Sequence, residues 1–193
     1  MAKQKKKKKL TLFILVSIII LIISIVLFLI PREKSQAPTF LYEVEINPSR
    51  DVIIKNILPV SDMLGKSFDG TGTKPGVQGY AEITIINTDK VKHDYSIVVS
   101  KQENNSQLSG NYIKFFLTDA DDNPVGKFNK ELSPVYESLE VHSLHPAYRI
   151  VETINLAPKE QKKFKLRTWL ADSYVVSLDE EQFKYVIDVF EEY

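Results

Sequence analysis

The feature that most constrains this chain is an apolar segment near its N-terminus, residues 10–30, which contains no charged residue. At a rise of about 1.5 Å per residue, a helix over these 21 positions is about 31 Å long, enough to cross the hydrocarbon core of a bilayer. Such a helix is apolar on every face and shows no polar side to water. The segment is therefore predicted to be a transmembrane helix.

The charges beside this segment predict its orientation. Six lysines precede it, and Arg32 and Lys34 are the basic residues close behind it. Because basic residues stay on the cytoplasmic side, residues 1–9 are predicted to be cytoplasmic and the C-terminal part extracellular. The flanking lysines are expected to contact anionic lipid headgroups at the membrane; they are Lys5, Lys6, Lys7, Lys8 and Lys9, with Lys3 before them.

A secretory signal peptide is the alternative interpretation of residues 10–30. The apolar region is longer than the roughly 7–15 residues typical of a signal, and no small-x-small cleavage site follows it. The nearest candidate, Ser35-Gln36-Ala37, precedes Pro38, which makes a poor cleavage junction. We therefore expect a permanent anchor, followed by a polar stalk at residues 31–39 and an extracellular domain at residues 40–193.

Composition narrows the class of the extracellular part. Beyond Pro31 the chain has 19 basic and 25 acidic residues, a formal charge of −6, which argues against nucleic acid as a partner. The chain has no cysteine, so an exported domain must be stabilised without disulfides. About 160 residues are enough for a single hydrophobic core.

Alternation of apolar and polar residues predicts a succession of short strands after the stalk. Little helix is expected, apart from single capped turns at residues 61–65 and 177–181. The pattern predicts an all-β fold, an antiparallel immunoglobulin-like β-sandwich. The strands are expected at residues 40–46, 52–58, 80–87, 95–99, 113–117, 149–156, 164–170 and 183–190.

Two local predictions follow from this pattern. The turn cluster at residues 87–90 predicts a β-hairpin between the strands at 80–87 and 95–99. In the strand at 164–170, Phe164, Leu166, Thr168 and Leu170 share one face. Trp169 then lies on the other face with the charged Lys165 and Arg167, which predicts an outward or rim tryptophan.

Five segments carry a resemblance to a known group of proteins. They resemble uncharacterised membrane-anchored surface proteins of Firmicutes, and the order of strand, Asn-Thr turn and Leu-x-Pro-x-Glu turn is more distantly similar to the TasA/camelysin biofilm-fibre sandwich. The resemblance covers about residues 52–190 and implies a sandwich fold at the cell surface. An uncleaved anchor departs from the fibre-forming group and argues against free polymerisation. The segments are 56–62 (Asn-Ile-Leu-Pro-Val-Ser-Asp), 83–88 (Ile-Thr-Ile-Ile-Asn-Thr), 111–114 (Asn-Tyr-Ile-Lys), 156–160 (Leu-Ala-Pro-Lys-Glu) and 165–170 (Lys-Leu-Arg-Thr-Trp-Leu).

Two clusters could bind metal. His142 and His145 could form a zinc site with Glu137 or Glu140, but the His-Glu-x-x-His pattern is absent, and two loop histidines are the simpler interpretation. The second cluster resembles the start of a calcium loop, yet Pro124 and Lys130 stand where an EF-hand needs Gly and Glu. A hairpin turn is favoured there, and a weak calcium site is the open alternative; its residues are Asp119, Asp121 and Asn123.

The sequence contains no constellation typical of an enzyme, and no cofactor is predicted. It lacks the Gly-x-Ser-x-Gly elbow and has no cysteine for thiol chemistry. We expect a non-enzymatic surface module that acts as a structural or accessory protein-interaction component of an envelope assembly. The alternatives are a ligand-binding or sensory ectodomain, for example one that binds cell-wall glycan, and then a hydrolase that uses carboxylates.

A contact patch for a protein partner is predicted around the single tryptophan. Exposed Trp, Tyr and Arg side chains concentrate binding energy at protein interfaces. The residues expected to form the patch are Trp169, Arg167, Lys165 and Tyr174. In the alternative interpretation, Trp169 packs under a loop or against the stalk.

Overall fold

A computed structural model describes residues 42–55, 58–70, 77–128, 132–176 and 181–192. Within these residues the chain forms nine strands and one short α-helix, so the fold is all-β as predicted. The helix, α1, is Asp62–Lys66. The strands are β1 (Tyr42–Asn47), β2 (Asp51–Lys55), β3 (Val77–Asn87), β4 (His93–Lys101), β5 (Ile113–Asp119), β6 (Glu140–Val141), β7 (Arg149–Leu156), β8 (Gln161–Leu170) and β9 (Gln182–Glu192).

The strands form two antiparallel sheets. The first sheet has the order β1-β3-β8-β5, and the second has the order β2-β9-β4-β7-β6. Side chains from both sheets meet in one hydrophobic core. Between the sheets the Tyr185 hydroxyl of β9 lies 2.7 Å from Thr168 Oγ1 of β8. The arrangement is that of a β-sandwich, in which each strand buries alternate residues.

The last strand shows this alternation most clearly. Phe183, Tyr185, Ile187 and Val189 are buried, while the residues between them are partly exposed. β9 pairs with β2 on one side and with β4 on the other, so it lies inside the second sheet. The strand predicted at residues 183–190 is therefore confirmed, and it is an interior strand of the second sheet.

The predicted hairpin between β3 and β4 is wrong. These consecutive strands belong to different sheets, so the turn between them carries the chain across the sandwich. β7 and β8 are joined by a second crossing turn, and Asn87 links the two turns. The side-chain amide of this fully buried residue donates towards the carbonyl oxygens of Val91, Leu156 and Ala157, at 2.8, 3.2 and 3.0 Å. Alternation of apolar residues cannot distinguish a crossing turn from a hairpin, because both join two half-buried strands.

A second layer of apolar packing covers the part of the outer face of the first sheet around Trp169 of β8 and Phe116 of β5. Residues 58–70, which include α1, lie over this face, and the backbone of Val60 donates to Leu170 O at 3.0 Å. The capped turn predicted at residues 61–65 is present: the Ser61 hydroxyl caps the helix by accepting from Leu64 N. Trp169, on the outer face of β8, is fully buried against Gly65 of α1. Phe68 and Phe116 are buried in the same layer.

The predicted membrane segment and stalk lie outside the described residues, as does most of the predicted helical turn at 177–181. Across the ranges that the structure describes, no helix is long and apolar enough to cross a membrane.

The contact between Gly65 and Trp169 generates a test of the outer layer. A Cβ atom at residue 65 would lie 2.2 Å from Cδ2 of the indole, so Gly65→Ala forces α1 away from β8. We expect Gly65→Ala to lower the free energy of unfolding by about 1–3 kcal/mol, the usual cost of overpacking. Urea denaturation followed by tryptophan fluorescence measures this change.

Met63→Ala is the matched control in the same helix, because the Met63 side chain is 82% exposed. Its effect should stay within about 0.5 kcal/mol, as for ordinary surface substitutions. Equal stability of Gly65→Ala and the native chain would contradict the packing of α1 on the indole.

Candidate protein contact surface

The structure does not bring the four residues predicted to form a contact patch together on one exposed surface. Trp169 has no exposed surface, so the prediction of an outward or rim tryptophan is wrong. The residue does lie on the face opposite Leu166 and Leu170, but residues 58–70 cover that face. The alternative, packing beneath another segment, is the arrangement observed. A partner reaches the indole only if residues 58–70 move away.

Arg167 is also buried, and its guanidinium is occupied by intramolecular contacts. Nη1 donates to Thr118 Oγ1 at 2.8 Å, Nη2 to Asp122 Oδ1 at 2.5 Å, and Nε to the carbonyl oxygen of Phe68. Hydrogen bonds from Lys165 and Arg167 hold the pKa of Asp122 below its usual value. The arginine therefore fastens residues 58–70 and the turn after β5 to the outer face of β8.

Lys165 and Tyr174 are partly exposed at separate places. Lys165 Nζ lies 3.0 Å from Asp122 Oδ2, beside the buried arginine. Tyr174 follows the end of β8, where its ring packs on Tyr112 at 5.2 Å between centroids. Its hydroxyl donates to Glu181. Among the four predicted patch residues, only Tyr174 belongs to a different surface. That surface is formed by the two segments that the Val60–Ala171 bridge joins.

That surface, which we name the apolar end, carries the large exposed apolar side chains of two adjoining segments. Val60 and Ala171 form an isolated parallel bridge that brings the two segments together. The apolar side chains are 56–86% exposed, and two of them, Val175 and Val176, directly follow Tyr174 in the chain. A concentration of exposed apolar side chains marks a contact site more often than scattered ones do. The members are Leu58, Met63, Val175 and Val176.

The calcium-like cluster forms a turn whose carboxylate is engaged by the backbone. Asp119 Oδ1 accepts from the backbone N–H groups of Asp121 and Asn123, both at 2.9 Å. The Asn123 amide also donates to Asp119 Oδ2 at 3.1 Å. Partial desolvation raises the pKa of Asp119, but the hydrogen bonds from Asn123 and Asp121 outweigh it and hold the pKa below its usual value. Asp119 therefore stabilises the turn itself.

His142 has a comparable structural role. Its ring is 2% exposed, and Nδ1 accepts from the backbone N–H groups of Leu144 and His145, both at 3.2 Å. Nε2 lies 3.0 Å from Glu192 Oε1, so both ring nitrogens are engaged by contacts within the domain. His145 stacks on Phe190 at 4.4 Å between ring centroids. Among the described residues, no group of three or more His, Asp or Glu side chains is placed to hold a metal ion.

Comparisons with protein-family models, with curated proteins and with solved structures find no match to this chain. The resemblance to Firmicutes surface proteins and to the biofilm-fibre sandwich therefore stays a prediction.

The sequence of β5 contains a signal that the outer face of the first sheet is partly covered, which the alternation of apolar residues in β8 does not show. β5 contains the run Phe115-Phe116-Leu117, which places aromatic rings on both faces of one strand. A strand that is apolar on both faces is typical of a strand covered on both sides. The apolar end had no comparable signal, because Leu58 and Val175 lie outside any regular strand.

The lowered pKa values generate a prediction about acid. Four carboxyl groups have a folded-state pKa below the ordinary value of about 4. Their contribution to stability is complete above the ordinary pKa and is lost as pH falls through the folded-state values. We expect the free energy of unfolding to decrease steadily below about pH 4, as urea denaturation at a series of pH values would show. The groups are Asp89, Asp119, Asp122 and Glu160.

Asp119→Asn tests the assignment to a particular group. This variant should be less stable than the native chain at pH 6, and its stability should change less between pH 4 and pH 3. A free energy of unfolding that rises below pH 4 would contradict the account.

Proposed function

We propose that the chain is a single-pass membrane protein whose extracellular immunoglobulin-like sandwich acts as a structural or accessory protein-interaction module of a bacterial cell-envelope assembly. The apolar, lysine-flanked residues 10–30 support the anchor and the orientation. Two antiparallel sheets that share one core support the sandwich. The formal charge of −6 beyond Pro31 suits a solvated extracellular domain.

The apolar end is the observation that carries the interaction function. Met63 and Val175 are 82% and 86% exposed, on segments held together by backbone contacts. Removing such side chains from water on association is favourable, by about 25 cal/mol per Å² of apolar surface. Tyr174 precedes Val175 in the same segment, and tyrosine is enriched at protein interfaces. The interaction surface is thus assigned to the apolar end rather than to Trp169.

A second candidate function, ligand binding, is favoured by a different surface. The rings of His145, Tyr148 and Phe190 cluster on the outer side of the second sheet, with Tyr148 and Phe190 4.9 Å apart between centroids. Clustered rings offer flat apolar faces together with polar edges. A cell-wall glycan is the ligand class proposed for this surface, and retention of the full chain on purified wall material tests it.

Crosslinking in cells tests the protein-interaction proposal. The double variant Met63→Lys/Val175→Lys places two charges in the apolar end without changing a buried residue. If a partner packs there, burying the two charges should weaken its binding by at least about 1.4 kcal/mol, which corresponds to a tenfold loss of affinity. Recovery of the crosslinked species should then fall by about tenfold or more. The readout is the ratio of crosslinked to free chain at equal expression.

Ile53→Lys provides a matched control, since Ile53 is a 41% exposed aliphatic residue on β2, outside the apolar end. Its crosslinking should equal that of the native chain. Recovery of monomer alone from native cells, or equal crosslinking of the double variant, would overturn the proposal.

A further inference from the structure

Two turns lie against each other at the end of the sandwich where β1 begins. They are the crossing turns between β3 and β4 and between β7 and β8. Asn87 joins them through its amide, and its backbone N–H donates to Glu160 O at 2.9 Å. Lys159 Nζ donates to the carbonyl oxygen of Thr88 across the gap between the turns. The two turns therefore form one continuous surface.

This surface is rich in lysine on a domain that is otherwise acidic. Residues 88–93 and 157–163 contain five lysines and two carboxylates, a formal charge of +3 with His93 neutral. The remainder of the chain beyond Pro31 then carries −9, because the total there is −6. Four of the lysines are exposed, and we name them the lysine base: Lys90, Lys92, Lys159 and Lys163.

The carboxylates among these lysines are already engaged. Asp89 Oδ2 lies 2.7 Å from His93 Nε2, and the hydrogen bond from His93 lowers the pKa of Asp89. Glu160 Oε2 accepts from the backbone N–H of Ala157 at 2.6 Å. By contrast, Lys90, Lys92 and Lys163 are exposed and form no ion pair within 4.0 Å with any described residue.

Other charged groups border the base. His93 Nδ1 also lies 2.6 Å from Glu191 Oε1, so the imidazole faces two carboxylates. Asp94 accepts from the Asn155 amide at 2.5 Å. Glu43 of β1 stands opposite Ile86, close to the turn. These acidic groups restrict the positive surface to the two turns themselves.

The position of the lysine base in the chain indicates what it meets. Tyr42, the first described residue, pairs with Asn87, so the chain enters the domain beside these turns. Eleven residues, 31–41, separate Tyr42 from the predicted membrane segment. Even fully extended, they span at most about 40 Å. A tether of this length keeps the base at a high effective concentration near a bilayer surface.

We propose that the lysine base binds the anionic lipid headgroups of the bilayer that holds residues 10–30. The inference rests on the anchor in the proposed function. Phosphate groups of the lipid attract the four ammonium groups, and the acidic remainder of the domain is repelled from the same surface. Together these forces orient the domain with the two turns on the bilayer, which leaves the apolar end accessible to a partner.

Lysine acetylation of the full chain in lipid nanodiscs tests this proposal. Discs of phosphatidylcholine are compared with discs that also contain phosphatidylglycerol, and mass spectrometry gives the acetylation rate of each lysine. Anionic discs should slow acetylation of the lysine base by about threefold or more, and high salt should remove the effect. Lys55 of β2, which is also exposed, should react at the same rate in both discs.

Variants that remove lysine charges test whether the four lysines of the lysine base bind the bilayer together. In Lys90→Gln/Lys92→Gln/Lys163→Gln, the slowing at Lys159 in anionic discs should disappear. The charge-matched control Lys55→Gln/Lys127→Gln/Lys184→Gln should keep it, because those lysines lie outside the two turns.

Each other outcome contradicts a definite part of the proposal. Unchanged rates in anionic discs, or equal slowing at Lys55, would overturn the lysine base as a lipid contact while leaving the anchor intact. Slowing in phosphatidylcholine discs on addition of inorganic phosphate would assign the site to free phosphate instead of lipid. A chain that does not remain in the disc fraction would refute the anchor, and with it the premise of this proposal.

Discussion

The burial of Trp169 beneath residues 58–70 is the packing interaction on which the rest of the domain depends. β8 lies between β3 and β5, and it buries Leu166 and Leu170 on its inner face. On its outer face the indole packs against Gly65, and Arg167 fastens the same covering segment through Phe68. The C-terminal half of β8 is therefore buried on both faces, between the core and the covering segment.

This layering determines where the domain can meet other molecules. Because residues 58–70 cover Trp169 on the outer face of β8, the indole is not available at the surface. The same segment exposes Leu58 and Met63 to solvent, and the Val60–Ala171 bridge joins it to the segment that exposes Val175. The lysine base lies at the other end of β3 and β8, where the chain enters. A domain with a basic entry end and an apolar far end suits the proposed role of an accessory module between a membrane and a partner.

The sequence predicted the strands well, because alternation reports directly which face of a strand is buried. Phe183, Tyr185, Ile187 and Val189 were placed correctly by this rule. Which strands pair with each other was harder to predict. The turn at 87–90 has residues typical of a hairpin, yet it crosses between the sheets, and the Asn87 amide ties it to the second crossing turn. Trp169 was misjudged because alternation identifies two faces but does not say whether a distant segment covers the outer one. Whether the outer face is covered depends on contacts between residues distant in sequence. The only local sign of this cover is the apolar run in β5, whose side chains are buried on both faces of the strand.

Acrylamide quenching of tryptophan fluorescence in the full chain tests the central claim most directly, because the chain contains a single tryptophan. With Trp169 covered on every side, the quenching constant of the native chain should be several-fold smaller than that of the urea-unfolded chain. Equal quenching of the native and unfolded chains would contradict the covered outer face, and with it the assignment of the contact surface to the apolar end.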